Sequence, residues 1–140
     1  MMECRARHRR RSVAVRSYHG NDVQSASGSR WNENEAQLAV EFAHLLADTV
    51  RPQQVAVICY YRDQLQLVKK TISSEIVLST VDAVQSKEWD YTIILTTRTT
   101  PGCFVSDKRR ANVSLTRAKK ALFTFGNRSY FNYYHTWVNV

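Results

Sequence analysis

Asp107-Lys-Arg-Arg-Ala-Asn-Val-Ser-Leu-Thr-Arg-Ala-Lys119 is the stretch from which the rest of this 140-residue chain can be read. Continued as a helix, it carries two stripes. Ala111, Leu115 and Ala118 recur at i, i+4 and i+7 and would pack on a core, while Arg110, Ser114 and Arg117 repeat that spacing about 100° round. On charge pattern alone this is an amphipathic helix with a solvated basic face. Before it lies a connecting loop, Arg98–Asp107, punctuated by Pro101-Gly102, and before that the apolar run Tyr91–Thr97, which reads as a buried strand. After it comes another strand, Ala121–Phe125, then Gly126-Asn127 and an aromatic tail (Tyr130, Phe131, Tyr133, Tyr134, Trp137). That tail suits a closing helix better than a base-stacking platform, because aromatic side chains dominate core burial.

The remaining elements alternate in the same way. Val13–Tyr18 is a short strand candidate, and Gly20–Gly28 is polar and loop-like. Asn32–Val50 places Ala36, Ala39, Val40, Ala43, Leu46 and Val50 on one side of a helix, and Asn32 and Glu35 have capping-box spacing at its start. Gln54–Cys59 is compact and apolar, as expected of a parallel strand covered on both faces. It runs into a helix marked by Tyr61, Leu65, Val68 and Ile72, after which Ile76–Thr80 forms the next strand. Strands alternating with helices predict an α/β fold with a parallel sheet sandwiched by helices.

The net charge of +8 is unevenly placed. Residues 1–17 hold Arg5, Arg7, Arg9, Arg10, Arg11 and Arg16 against Glu3, so the high pI belongs mainly to a basic arm, drawn here at 1–20, with a lobe over 21–140. Such an arm is consistent with a nuclear address, a nucleic-acid contact or simple disorder. Cys4, Cys59 and Cys103 are odd in number and lack metal-ligand spacing, which points to a reduced intracellular setting, cytoplasm or nucleus. The four histidines are scattered, no metal site is expected, and no apolar run approaches membrane-spanning length.

The order of residue types at 109–119 resembles the last conserved motif of superfamily 1 helicases, Arg-Arg-Leu-Asn-Val-Ala-Leu-Thr-Arg-Ala-Lys, departing at Ala111 and Ser114. Tyr61-Arg62-Asp63-Gln64 resembles that family's Thr-Pro-Tyr-Arg-x-Gln, with Cys59 and Tyr60 in place of Thr and Pro. Thr80-Val-Asp-Ala-Val-Gln-Ser-Lys-Glu88 resembles Thr-Val-Asp-Ala-Phe-Gln-Gly-x-Glu, with Ser86 in place of Gly, and Gly102–Asp107 resembles Gly-Phe-Leu-x-Asp. Over about residues 30–128 the likeness is to the second RecA-like lobe, of P-loop NTPase type, in the nonsense-mediated-decay and up-frameshift RNA helicase group.

That resemblance implies site residues. Arg117 would reach the γ-phosphate of ATP as an arginine finger, Glu88 would hold the ribose, and Thr80, Tyr61 and Arg62 would face the nucleic acid. Glu88 and Arg117 are expected near the carboxyl ends of strands, where α/β sheets place ligands. If Ser86 occupies a left-handed conformation, it costs about 1 kcal/mol and weakens the motor. No Gly-x-x-x-x-Gly-Lys-Ser/Thr loop and no paired acidic Mg²⁺ site appears in the sequence. The chain is therefore expected to be a truncated second lobe, inactive alone. Its ATP and Mg²⁺ would be bound mainly by a first lobe in cis or trans, and its track would be single-stranded RNA or DNA. The alternatives are a non-catalytic remnant that binds nucleic acid or a protein, and an unrelated parallel α/β domain with a coincidental basic helix.

Overall fold

The computed structural model describes residues 12–16, 22–99 and 103–127; for 12–16 it describes the backbone alone. Five strands form one sheet in the order β1 (Ser12–Arg16), β7 (Ala118–Phe125), β6 (Trp89–Leu95), β4 (Val55–Cys59), β5 (Val77–Thr80). Every ladder in it is parallel. Two further strands, β2 (Val23–Gln24) and β3 (Arg30–Trp31), pair as a minimal hairpin, the first of them within the stretch 20–28 expected to be loop. The first strand of the large sheet comes from residues assigned to the basic arm, paired with β7 through Ser12↔Ala121 to Arg16↔Phe125. The expected closing helix lies outside the described residues.

Both faces of the sheet are covered, which explains the continuous apolar runs of its central strands. On one face Val55, Val57, Cys59, Ile93 and Leu95 meet helices α1 (Glu33–Thr49) and α2 (Arg62–Lys69) through Ala36, Ala39, Val40, Ala43 and Val68. Phe42 adds an edge-on contact with Phe123, ring centroids 4.8 Å apart. On the other face Ile58, Ile94 and Leu122 meet the short α3 (Cys103–Ser106) and α4 (Lys108–Thr116) through Val105 and Ala111. Successive residues of a strand point to opposite faces, so Val57 and Ile58, or Ile93 and Ile94, enter different cores.

The basic helix differs from expectation in two ways. It ends at Thr116, because Ala118 already pairs with Trp89 as the first residue of β7; Arg117 sits at the junction. Its buried side is Ala111 and Ser114, while Leu115 is only half-buried, so Ser114 turns into the core from the expected polar stripe. The interior tolerates that hydroxyl because it bonds the Ala111 carbonyl at 3.0 Å and the Tyr60 hydroxyl at 3.2 Å.

Among the described residues no helix is long and apolar enough to cross a membrane.

Candidate functional site

The predicted residues gather at two opposite rims of the sheet. Glu88 immediately precedes β6 and Arg117 immediately precedes β7, so both lie at the amino ends of strands, which corrects the expected carboxyl-end placement. The reason is topological. A parallel strand must be entered from the same rim as its neighbours, so the connection 81–88 has to carry the chain back along the sheet before β6 begins. The two residues flank one rung, since Trp89 pairs with Ala118 and the Trp89 amide donates to the Arg117 carbonyl at 3.0 Å. A register shift follows between Trp89 and Tyr91, an irregularity of the kind that re-aims side chains at strand ends.

Arg117 is tightly held. Its Nη1 donates to the carbonyls of Val84 and Lys87 (both 3.3 Å) and, more closely, of Gln85; its Nη2 donates to the Thr116 hydroxyl at 2.8 Å. Its Nε is buried with no hydrogen-bond partner among the described residues. Glu88 is exposed. Ser86 is also exposed and is not at positive φ, so the left-handed penalty weighed against it does not arise.

At the opposite rim, Cys59 and Thr80 are register partners on neighbouring strands. The chain therefore leaves the sheet side by side at Tyr60-Tyr61-Arg62 and at Thr80-Val81-Asp82. Arg62 is exposed and Thr80 half-buried, but Tyr61 is only 9% exposed, its ring 5.1 Å from that of Phe104. Burial pushes the Tyr61 phenol up, with the nearby Arg98 guanidinium opposing it. Cys59 is fully buried, and burial with the Glu35 carboxylate raises its thiol well above the ordinary range, so its side chain serves the core. From the first turn of α4, Arg110 reaches back over this rim. It bonds Asp82 Oδ1 through Nε at 3.0 Å, approaches Asp107 at 3.4 Å, and lies 4.0 Å over the Phe104 ring. Beside this pair runs a polar cleft of about 270 Å³ lined by Val81, Asp82, Gln85, Asp107, Arg109 and Val113.

The seven-residue β6 runs from one rim to the other, so the rims stand about 20 Å apart. Segment 81–87 spans that distance alongside α4, gripped by Arg110 at one end and Arg117 at the other.

Sequence reasoning missed a buried polar network at the carboxyl rim. Asn32 caps α1 as expected, accepting from the Glu35 amide at 3.0 Å. The Glu35 carboxylate does not return to the cap. It turns inward and accepts from the Thr97 amide (2.9 Å), the Thr97 hydroxyl (3.0 Å) and the Gln64 side-chain amide (3.0 Å). Gln64 takes over the second half of the box, accepting from the Asn32 amide at 2.8 Å. All four side chains are fully buried. The Asn-x-x-Glu spacing was a visible signal, explained too easily by the cap; nothing in the sequence marked Thr97. Next to this network, Asp22 accepts from the Thr99 amide (3.0 Å), the Thr99 hydroxyl (2.7 Å) and Arg30 (2.6 Å). Burial opposes its charge, but the Thr99 bonds and Arg30 outweigh that and hold its carboxyl below the ordinary range.

Comparison with known proteins gives a match to the AAA domain family over residues 3–129. The chain is 34% identical over 110 residues to Helicase required for RNAi-mediated heterochromatin assembly 1 of Schizosaccharomyces pombe, covering 71% of this chain and 11% of that protein. It is 33% identical over 123 residues to Regulator of nonsense transcripts 1 of Caenorhabditis elegans, covering 77% of this chain and 12% of that protein. With ATP-dependent helicase NAM7 of Saccharomyces cerevisiae it shares 34% identity over 124 residues, 78% of this chain and 13% of the relative. The chain thus spans 11–13% of the length of these relatives.

Proposed function

This chain belongs to the AAA domain family, within its superfamily 1, up-frameshift-like helicase group, and from that premise we propose that it forms the second RecA-like lobe of an ATP-dependent nucleic-acid helicase. The observation that carries the proposal is that Glu88 and Arg117 flank the Trp89–Ala118 rung at the amino ends of adjacent strands, with Thr80, Tyr61 and Arg62 about 20 Å away at the other rim.

The donor set fits one wall of a nucleotide site. Arg117 offers a permanently charged, planar fork suited to phosphate oxygens, and Glu88 offers an acceptor for ribose hydroxyls. Preformed bonds to the loop carbonyls hold the guanidinium at the rim, and phosphate oxygens presented by a first lobe would replace those carbonyls as acceptors. Negative charge on a transferring phosphoryl group is what such a fork stabilises, and fingers of this type contribute about 10³–10⁵ in rate. In the reading proposed, magnesium would take its protein ligands, one or two carboxylates, from the first lobe. At the carboxyl rim, Arg62 and the Thr80 turn would contact the sugar-phosphate backbone of a single strand, a contact that carries no sequence information. Tyr61 would serve as a wall of that surface, since its ring is packed.

The remnant reading drew on Ser86 and on the missing first-lobe motifs, and the first of these grounds loses its strain argument because Ser86 is not at positive φ. The test is Arg117→Ala in a polypeptide that holds both lobes. Hydrolysis should fall at least a thousandfold, the lower end of about 10³–10⁵, with nucleotide affinity nearly kept. Near-normal turnover would remove Arg117 from the role.

A further inference from the structure

Thr97 is the one non-glycine residue among the described ones with a left-handed backbone, at φ 68°. The Arg98 amide donates to the Thr96 carbonyl at 2.7 Å, two residues back, so Thr96–Arg98 is a γ-turn of the rare, strained hand. A β-branched residue is among the worst suited to that conformation. The turn persists because its surroundings over-determine it. Glu35 takes both the amide and the hydroxyl of Thr97, and the Asn32 side chain donates to its carbonyl at 3.5 Å. On the far side Asp22 holds Thr99 by two bonds and approaches Arg98 Nε at 3.5 Å.

Strain maintained by a dedicated buried network is concentrated at functional positions, and the inference runs from the outlier to its use. This turn sits just past the carboxyl end of β6, where the Tyr60 amide donates to the Leu95 carbonyl at 3.1 Å and brings Tyr61 alongside. We infer that the Thr96–Arg98 γ-turn, locked by Glu35 beside Tyr61, sets Arg98 as a further phosphate contact on the single-strand surface. Glu35 is then a positioning residue acting through the turn. The Arg98 side chain is 17% exposed, with Asp22 3.5 Å from its Nε, and a phosphodiester would meet it from the solvent side. The inference rests on the carboxyl-rim assignment of Arg62 and Thr80 made above.

The test uses the 140-residue chain and a short fluorescein-labelled oligouridylate, with anisotropy titrations over a series of salt concentrations. Arg98→Ala should weaken binding about tenfold. It should also reduce the slope of log K against log salt by about 0.7, the share of one single-strand phosphate. Glu35→Gln should do the same, and the double variant should bind no more weakly than Arg98→Ala alone. A purely structural Glu35 would give additive losses instead, which overturns its positioning role. Amide shifts of the unmodified chain on adding the oligonucleotide give a second reading that does not depend on Glu35→Gln folding. Signals of Thr97, Arg98 and Thr99 should move together with those of Arg62 and Thr80. Movement at Arg62 and Thr80 alone overturns the inference and leaves the carboxyl-rim reading standing; no movement at any of them overturns both.

Discussion

Glu35→Gln keeps the shape of a fully buried side chain and changes only its hydrogen-bonding character. A carboxylate accepts on both oxygens, and here Oε1 takes Gln64 and the Thr97 hydroxyl while Oε2 takes the Thr97 amide. Glutamine offers one oxygen and one NH₂. With its oxygen facing the Thr97 amide, the new NH₂ opposes the Gln64 amide. Flipped, it opposes the Thr97 N–H. Either way a buried donor confronts another donor. Each unsatisfied buried donor costs about 1–3 kcal/mol. Relief from desolvating a carboxylate offsets part of that loss. A net destabilisation of about 2–3 kcal/mol follows, and for a domain of this size a shift of roughly 4 °C per kcal/mol puts the melting temperature about 8–12 °C lower. Thermal unfolding followed by circular dichroism measures it. Thr97→Gly serves as the companion variant. It relieves about 1–2 kcal/mol of left-handed strain, and loses about 1 kcal/mol with the hydroxyl bond and a further 0.5–1 kcal/mol, roughly, to glycine's backbone entropy. It should therefore melt close to the parent chain. If Glu35→Gln melts within about 2 °C of the unmodified protein, the carboxylate is not needed as an acceptor and the account of the turn fails.

Other consequences can be checked on the same chain. Ser114→Ala and Tyr60→Phe should each destabilise, and their double-mutant cycle should show a coupling of about 1 kcal/mol from the buried hydroxyl pair, whereas strict additivity would mean the bond contributes nothing. Asp22 has a folded pKa below its unfolded one, so its contribution is complete above the ordinary carboxylate value of about 3.9 and is lost as pH falls through the folded value. Acid unfolding of Asp22→Asn should therefore be flatter in that window, and an unchanged acid limb would refute the linkage. In a Cys4→Ser, Cys103→Ser background, Cys59 should react with a thiol reagent only as fast as the fold opens, because burial raises its thiol; rapid labelling of the native protein would contradict that. Arg117→Ala should speed amide exchange at Gln85–Glu88 without lowering protection in β6, since three carbonyls of that loop lose their donor.

Much of the sheet was legible along the chain. Val55–Cys59 and Ile93–Leu95 are apolar without interruption because both of their faces are covered, and Asn32 announces the start of α1 because a cap must accept a backbone N–H within three residues. The basic helix was harder to read. Its end was set by Ala118 pairing with Trp89, and its buried side by a hydroxyl on Tyr60, neither of which periodicity can see.

Sequence alone determined the α/β class, the order of the main strands and helices, and which residue types stand where phosphate and strand contacts are proposed, because these follow from local periodicity and from motifs read in line. Tertiary structure alone decided that Glu88 and Arg117 share the amino rim while Thr80, Tyr61 and Arg62 share the other. It also decided that Ser86 bears no strain and that Glu35 leaves its cap to hold Thr97 left-handed. Those outcomes depend on which strands become neighbours and which buried donors need an acceptor, and both are set by residues tens of positions apart.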